Sequence, residues 1–541
     1  MLTSAIMLLK VNSAFLVKMP ISGGSVVEGV VGNPRFINPV LAISEADKSL
    51  VSLIYSGLVR IDTSGEVRND LAENVLVSED GLTYEVTLRK DVVFHDDRPV
   101  TADDVVFTIQ KILDPNIKSP QYGDFAGVSI SKVDEHKVSF SLRKPYSPFI
   151  KNLTIGILPK HIWSTVTDDE FSFSQWNVLP IGSGPYMVEK TDRDSGGIPN
   201  YYDLVPFDEY LYEKPFITHY IFKFYSSETD ILEAYDGGEV DILGGISPDE
   251  ALTINRNRSD ITNSPLPRIF GVFFNQNANK ALLDKNVREA LDTAAPKEEI
   301  LKIVLNGFGK VINGPLPPMF SRTSTTESLR TASERIEAAS STLAKAGWVK
   351  NKDTGILEKK NKNDTIKLSF SISTSDNPDL EKVAQMLEVA WTSLGAEVKV
   401  SIYESGDLNQ NVIRPRKYDA LLFGEVIGKD GDAFPFWHSS ERNDPGLNIA
   451  LYVNSQVDKI LESIRSERDE EKKQELYLSF EKAIMSDVPA VFLYSPNYIY
   501  VVPDNLNGIR MEKLSTPQDR YRGVRNWYVE TNSVWRIFAD K

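Results

Sequence analysis

Clustered histidine and carboxylate side chains are the first candidates for chemistry in this sequence of 541 residues. His95, Asp96 and Asp97 are adjacent, and Asp103 and Asp104 follow shortly afterwards. A metal site or an acid–base pair needs its side chains to converge, but adjacent residues of a strand point to opposite faces. Turn residues come next, so the pattern favours a strand end with solvated acids, followed by charges in the first turn of a helix.

The remaining motif searches give no positive sign of catalysis. The chain has five histidines: His95, His136, His161, His219 and His438. They form no HExxH or other short metal-binding pair, and neither a GxxxxGK[ST] loop nor a GxSxG elbow occurs. The IGSGPY segment at 181–186 leads into a strand rather than a helix, so it lacks the helix N-terminus of a phosphate loop and favours a turn. We therefore expect no enzyme, no metal site and no cofactor.

Composition describes a folded, acidic protein. Hydrophobic residues make up 41% and charged residues 25%, which is ordinary for a chain with large buried cores. The net charge of −16 argues against nucleic acid and against charge-driven docking on anionic lipid. Cysteine is absent, which excludes disulfides, thiolate sites and lipidated cysteines, and fits a protein outside the cytoplasm.

The N-terminal segment MLTSAIMLLKVNSAFLVKMP is apolar but interrupted by Lys10 and Asn12. A confident membrane span needs about 20 apolar residues, and the segment also lacks a clear basic region and cleavage site. We interpret residues 1–22 as the remnant of an N-terminal membrane anchor. An ordinary helix or a disordered start is the alternative.

Local patterns predict the elements of the N-terminal half. Ser44 and Thr101 each precede acidic residues and a helical spacing of apolar residues, so each should cap a helix, the first ending at Gly57. The segment GLTYEVTLRK alternates and predicts a half-buried strand. The polar stretch from about 191 to Tyr212 is interpreted as a long surface loop.

The C-terminal half has the β-α-β pattern of a mostly parallel sheet. The strand in TIKLSFSIST leads to the helix PDLEKVAQMLEVAWTSLG and then to the strand AEVKVSIYES. The long helical segment at 454–487 should form two helices. The loop that begins LLFGEVIGKDGDAFPFWHSS holds aromatics beside charges, a combination that often lines a ligand cleft.

Seven segments in a fixed order resemble the family 5 extracellular solute-binding proteins, the oligopeptide- and dipeptide-binding components of ABC importers. The most specific is LAENVLVSEDGLTYEVTLRKDVVFHDDRPVTADDVVFTIQKI at 71–112. The others are PRFINPVLAISEADKSLVSLIYSGLVRID, PIGSGPYMVEK, GGEVDIL, the block from FFNQNANK to GPLPP, LAKAGW and PAVFLYSPNY. The resemblance runs from about Gly24 to Trp527.

The resemblance implies an α/β, two-lobed periplasmic-binding-protein-like fold of type II, with an inserted subdomain in lobe one. Lobe one would comprise residues 23–61, 181–267 and 499–541, and the inserted subdomain residues 62–180. Lobe two would comprise residues 268–498. Such a fold closes on its ligand about a hinge.

The resemblance also implies ligand-binding residues. These are Ser44, Asn275, Asn277, Gly424, Glu425, Asp430, Asp432, Trp437 and His438. In many members an aspartate of the lobe-two loop pairs with the peptide amino terminus, and the matching text here is GEVIGKDGDAF. Glu425 stands where the family has tryptophan, so Glu425, Asp430 or Asp432 could supply the carboxylate. Ile43 replaces an acidic contact of the first-lobe loop, beside Ser44.

The implied function is capture of peptides between two lobes and delivery to an ABC permease, by a monomer in the periplasm or at the cell surface. Backbone hydrogen bonds to an extended peptide would give affinity without side-chain selectivity. The same fold could instead bind a nickel chelate, a sugar or another small solute. A membrane-anchored peptide sensor is the alternative of another class.

Overall fold

The computed structural model describes residues 16–254, 259–321, 331–361, 364–428 and 431–535. The chain divides into two compact units. Unit 1 contains Met1–Ile246, Thr253–Thr262 and Ile499–Lys541, and unit 2 contains Ser247–Leu252 and Asn263–Tyr498. The strand Ala490–Pro503 runs from unit 2 into unit 1.

The main sheet of unit 1 is built on the β-branched segment Ser25–Val31, which pairs in parallel with His219–Tyr225. In spatial order its strands are the end of Ala490–Pro503, then Ile242–Gly244, Ser25–Val31, His219–Tyr225, Pro199–Pro206 and Tyr186–Arg193. Among the last three strands, Pro199–Pro206 is antiparallel to each of its two neighbours. Val26 and Val30 are buried in this sheet because alternate residues of a strand share one face.

Unit 1 has a second, antiparallel sheet of four strands. Their spatial order is Ala72–Val77, Thr83–Leu88, Lys137–Ser141 and Ser129–Asp134. The predicted alternation in GLTYEVTLRK is confirmed, since Tyr84, Val86 and Leu88 are buried. Unit 1 also has two small antiparallel pairs, Val59–Ile61 with Val67–Asn69 and Leu16–Pro20 with Thr531–Trp535.

The helices of unit 1 include both predicted caps. Helical segments are Glu45–Ile54, Ala102–Leu113, Tyr122–Phe125, Phe149–Asn152, Lys160–Trp163, Phe171–Phe173, Gln175–Asn177, Glu228–Asp236 and Pro517–Asn526. Ser44 and Thr101 cap the first two in capping boxes, as predicted. The predicted end at Gly57 is wrong, because the helix stops at Ile54; a Cβ on Gly57 would lie 2.7 Å from the backbone of Thr154, which explains the glycine by close packing.

The predicted long loop between 191 and 212 is also wrong. This stretch contains the end of the strand Tyr186–Arg193 and the whole strand Pro199–Pro206. Prolines at both ends of the second strand mimic turn signals, although proline is compatible with the first residue of a strand. The two strands form an antiparallel pair whose register shifts between Asp203 and Leu204.

His95, Asp96 and Asp97 take separate roles. His95 Nε2 contacts Gly184 O at 3.1 Å, and its Nδ1 accepts from Gly182 N at 3.3 Å. Asp96 pairs with His161 Nε2 at 2.7 Å, while Asp97 occupies a turn at φ 62°. The three side chains therefore do not converge on one point.

Unit 2 contains a mixed sheet with both parallel and antiparallel pairs. Its main strands, in spatial order, are Glu397–Tyr403, Ser369–Ser375, Ala420–Val426, Arg268–Phe274 and Ala490–Pro503. The first three are parallel, as the β-α-β pattern predicted, and the others add antiparallel pairs. Further strands are Ser259–Pro265, which begins in unit 1, Gly309–Val311, Val349–Lys350, Leu357–Lys360 and Thr365–Lys367.

Helices cover both faces of this sheet and enclose two hydrophobic cores. Helical segments are Pro248–Ala251, Lys285–Ala294, Lys297–Val304, Ala332–Lys345, Pro378–Leu394, Ser405–Asp407, Leu408–Ile413, Phe434–Trp437, Ser439–Arg442, Ser455–Ser466 and Glu470–Asp487. The two-helix prediction for 454–487 is confirmed. One core surrounds Trp391 and the other surrounds Trp437. Within the described residues, no helix combines the length and the apolar character needed to cross a membrane.

Candidate functional site

The candidate site in unit 2 starts at the end of the strand Ala420–Val426 and continues into the loop that follows it. The strand pairs with Arg268–Phe274 on one side and with Ser369–Ser375 on the other. Its alternation places Leu421 in the Trp437 core, and Glu425 lies on the same face of the strand, two pleats further on. The sheet thereby fixes the position of Glu425 at the edge of an apolar interior.

Glu425 is a buried acid in an unusual environment. The residue is only 3% exposed. Neither carboxyl oxygen has a hydrogen-bond partner among the residues that the structure describes. Burial raises the pKa of Glu425 well above its usual range, because an unpaired charge is costly in an apolar environment. Burial therefore favours the protonated, neutral form of this acid.

Gly424, the neighbour of Glu425, must be a glycine because the ring of Phe270 leaves no room for a side chain. A Cβ at this position would lie 2.7 Å from Cε1 of Phe270 on the adjacent strand. The Phe270 ring stacks on Tyr494 with centroids 5.0 Å apart. Gly424 thus serves aromatic packing across three strands.

A charged stack occupies the loop beyond the strand. Arg465 donates two hydrogen bonds to Asp432, from Nε at 2.9 Å and from Nη2 at 2.6 Å to Oδ2. The same guanidinium lies 3.6 Å above the centroid of Phe434. Phe434 in turn stacks on His438 at 4.0 Å with an interplanar angle of 12°. Asp432 is therefore committed to an internal arginine, which lowers its value as a partner for a ligand amine.

His438 retains one unused ring nitrogen. Its Nδ1 contacts Ser440 Oγ at 2.8 Å. Nε2 is buried and makes no hydrogen bond within the described part of the chain. The nearest carboxylate oxygens, on Asp458 and Glu462, lie 3.8 Å and 3.7 Å from it. The imidazole is thus held by stacking, and the described residues leave the hydrogen-bonding capacity of its buried Nε2 unsatisfied.

Trp437 is fully buried and belongs to the interior of unit 2. Its ring lies 5.8–6.2 Å from those of Phe273, Tyr452 and Phe492. This packing corrects the expectation of a tryptophan that lines a cleft, since the side chain anchors the short helix Phe434–Trp437 on the core.

Asn275 forms a turn at the end of its strand. Its Nδ2 donates to Arg416 O at 3.1 Å, and its Oδ1 accepts from the backbone N–H groups of Asn277 and Ala278, both at 3.2 Å. Both ends of the amide are therefore used internally. Asn277 is exposed, so its side chain is the more accessible of the two.

Ser44 lies in unit 1 and is likewise used by the fold. Its Oγ accepts from Asp47 N at 3.0 Å, and the buried Asp47 carboxylate accepts from the backbone of Arg35 and Phe36 at 2.7 and 2.8 Å. Ile43 beside it is 63% exposed, which is unusual for isoleucine and leaves an apolar surface where the resemblance expects an acid. Asp430 lies outside the described residues.

The structure brings Gly424 and Glu425 together on one strand, and Asp432 and His438 together through the ring of Phe434. Sequence reasoning noted Phe434 only as one of the aromatics of this loop and missed Arg465, and these two residues hold the stack. Their signal was weak because Arg465 is far along the chain in a helix and its partner could not be read from spacing. Of the predicted acids that the structure describes, Glu425 is the one without an internal partner.

A mixed α/β chain of two compact units is the architecture of a two-lobed, type II periplasmic binding protein, as the resemblance predicted. Solved structures support this class: the oligopeptide-binding protein AppA of Bacillus subtilis, in complex with a nonapeptide, matches with a TM-score of 0.70 and 28% identity over 95% of this chain and 100% of that chain. NikZ of Campylobacter jejuni, in complex with Ni(L-His), matches with a TM-score of 0.70 and 27% identity over 93% of this chain and 99% of that chain.

The chain belongs to the bacterial extracellular solute-binding proteins, family 5, whose model matches residues 66–446. Among curated relatives, AppA of Bacillus subtilis is 28% identical over 516 residues, covering 94% of this chain and 92% of the relative. The dipeptide-binding protein of Escherichia coli is 25% identical and covers 89% of this chain and 91% of the relative. The predicted resemblance is thereby confirmed, and the family consists of solute-binding proteins rather than enzymes.

Proposed function

We propose that the protein captures peptides outside the cytoplasm and delivers them to the permease of an ABC importer, without breaking a bond. Similarity to an oligopeptide-binding protein over nearly the whole chain supports peptide cargo. We further propose that it acts as a monomer in the periplasm or at the cell surface. An N-terminal tether belongs to this proposal.

The observation that carries the proposed mode of binding is the unpaired acid of Glu425. A peptide ammonium brought against this carboxyl group would stabilise its charged form and lower its raised pKa. Binding would then release the proton that Glu425 holds in the free protein. Backbone hydrogen bonds along an extended peptide would supply sequence-independent affinity.

Comparison of free and N-acetylated peptides tests this mode directly. A hydrogen bond to a charged group contributes about 1.5–3 kcal/mol, so acetylation should weaken binding by roughly 10- to 150-fold. Glu425→Gln should abolish that preference while leaving affinity for the acetylated peptide nearly unchanged. Isothermal titration calorimetry in two buffers of different ionisation enthalpy should also detect proton release in the wild type but not in the variant.

Asp430→Asn is the matched variant for the alternative acid. If Asp430→Asn loses the preference and Glu425→Gln keeps it, the amine contact belongs to Asp430 and the role of Glu425 is wrong. If both variants and the wild type bind free and acetylated peptides equally, no carboxylate recognises the amine.

The cargo itself is tested by native mass spectrometry of the purified protein, with fragmentation of any retained ligand and a peptide-library thermal-shift screen if none is retained. A ladder of short peptides supports the importer function. A single non-peptide mass overturns the peptide cargo while keeping the fold.

A nickel chelate is the second candidate cargo, because His438 keeps a buried Nε2 without a hydrogen bond among the described residues. Imidazole nitrogen is a common ligand for nickel. Titration with Ni(L-His) should then give saturable binding that His438→Ala weakens at least tenfold. If Ni(L-His) does not bind the wild type, the nickel chelate is removed as a candidate cargo. The same titration would remove a sugar or another small solute.

A further inference from the structure

Three side chains of unit 1 form a cluster that the proposed peptide function does not use. Glu189, Asp203 and His219 lie on three neighbouring strands, and one donor atom from each falls within 4.8 Å of the others. His219 Nδ1 lies 3.0 Å from Asp203 Oδ1 and 3.8 Å from Glu189 Oε2. The cluster is remote in sequence from Glu425 and belongs to the other unit.

Strand register explains why these three side chains converge. Asp203 pairs with Ile221 in the adjacent strand, so His219 is its diagonal neighbour on the same face. On the other side, Asp203 pairs with Lys190 and Leu204 pairs with Val188, which leaves Glu189 as an extra, unpaired residue. Such a bulge changes the direction of a side chain, and bulges are over-represented next to functional sites. Without the bulge, the regular alternation of side chains along the strand would point the Glu189 side chain in another direction.

The spacing suits one divalent ion of the first transition row. Zinc holds imidazole nitrogen and carboxylate oxygen at about 2.0–2.2 Å, so tetrahedral ligand atoms lie about 3.4 Å from one another. The two separations from His219 Nδ1, 3.0 and 3.8 Å, bracket that value, and the three donor atoms all lie within 4.8 Å of one another. The side chains of Glu189 and His219 are 42% and 43% exposed, so they can make the remaining adjustment and an ion can reach them from solvent.

Charge also favours a cation over a simple hydrogen-bonded pair. Two carboxylates and an imidazole present an excess of negative charge, while Asp203 is largely buried with an 11% exposed side chain. Lys190, the register partner of Asp203, makes no ion pair with either carboxylate in the described part of the chain. Imidazole in the set disfavours calcium and magnesium, which prefer oxygen ligands.

We propose that Glu189, Asp203 and His219 form a zinc-type divalent metal site with water as the fourth ligand. The ion would join the three strands Tyr186–Arg193, Pro199–Pro206 and His219–Tyr225. This proposal departs from the sequence-based expectation of no metal. It is independent of cargo, so its loss leaves peptide binding unchanged.

Calorimetric titration of the EDTA-treated, dialysed full chain with Zn²⁺ tests the site. The wild type should bind one equivalent through this cluster, and His219→Ala and Glu189→Gln should each weaken that binding at least tenfold. Cobalt substitution should give the visible bands of a tetrahedral ion in the wild type and lose them in His219→Ala. Added zinc should raise the Tm of the wild type but not of the two variants.

His161→Ala is the matched control. His161 forms a histidine–carboxylate pair with Asp96 at 2.7 Å, but within the described residues no third side chain joins them to form a possible metal site. This variant should bind zinc like the wild type. Equal zinc binding by wild type, His219→Ala and Glu189→Gln, or no saturable binding by the wild type, overturns the proposal. Glu189→Gln changes a side chain that is 42% exposed, so it keeps the test valid if His219→Ala is poorly folded.

Discussion

Glu28→Gln removes the negative charge at the centre of a buried network and should strongly destabilise unit 1. Glu28 and Arg520 are 0% and 1% exposed, and Arg520 donates to Glu28 Oε1 from Nε at 3.1 Å and from Nη2 at 3.0 Å. The hydroxyl groups of Tyr220, Tyr521 and Tyr500 donate to the other oxygen at 2.5, 2.9 and 3.2 Å. The carboxylate thus accepts from five donors and neutralises one cation.

The expected cost follows from what remains after the substitution. Glutamine keeps one accepting oxygen but leaves the buried guanidinium of Arg520 with only a longer contact, 3.5 Å from Nη1 to Oε1 of the partly exposed Glu45, as its counter-charge. Breaking a buried ion pair in this way costs about 3–5 kcal/mol. Arg520→Met in the Glu28→Gln background removes the stranded cation, so it should cost less than in the wild type. We expect a coupling energy of about 1–3 kcal/mol.

Urea unfolding with tryptophan fluorescence measures both quantities, because the buried Trp527 lies 6.1 Å from Tyr521 and 6.3 Å from Tyr500. Lys214→Met is the control: its pair with Asp208 spans 2.9 Å, but the two side chains are 54% and 82% exposed. An exposed pair contributes about 0–1 kcal/mol. A loss below about 1 kcal/mol for Glu28→Gln, or no coupling to Arg520, refutes the argument.

Three further outcomes follow from the structure. Burial raises the pKa of Glu425, so the folded protein keeps a proton that the unfolded chain releases above about pH 4.3, and stability should fall as pH rises from that value. In thermal melts, Glu425→Gln should flatten this pH dependence and be more stable than the wild type at pH 7. An unchanged slope of stability against pH in the variant contradicts the assignment. Gly424→Ala should cost about 1–3 kcal/mol through contact with Phe270, whereas Gly123→Ala, which meets nothing within 4 Å, should be neutral or stabilising in the same urea assay. Burial lowers the pKa of His95 from 6.5 to about 4, so stability should fall as pH drops through that range, by up to about 3 kcal/mol for the difference of 2.5. His95→Gln should lose that slope and keep peptide affinity, and lost affinity with an intact fold would reopen the hypothesis of a metal site at His95.

Local elements were predictable because their causes are local. Ser44 and Thr101 cap their helices through contacts with residues three positions away, which sequence spacing records directly. The break between Ser455–Ser466 and Glu470–Asp487 is likewise marked by Asp469, whose side chain accepts from the backbone of the second helix. Strand Pro199–Pro206 was missed because its terminal prolines are local turn signals that sheet pairing overrides.

The candidate site was less predictable because its contacts are non-local. The sequence identified the loop from Gly424 to His438, but it could not show that Asp432 is occupied by Arg465, 33 positions away. Nor could it separate Trp437, whose aromatic character suits a cleft, from a core residue, since burial depends on how distant elements pack. The zinc-type cluster depends on a single bulged residue that no periodicity reveals.

Glu28 and Glu425 show why burial alone does not identify a functional acid. Both are nearly inaccessible residues on strands, but Glu28 accepts from five donors and Glu425 has none among the described residues. The hydrogen bonds and the ion pair of Glu28 give it a structural role. Burying the carboxyl group of Glu425 costs free energy that no neighbouring group offsets within the described residues. Residues that break the rule that buried polar groups are hydrogen-bonded are expected at functional sites. A ligand cation is the partner that would offset the cost, which is the physical reason for placing the peptide amine at Glu425.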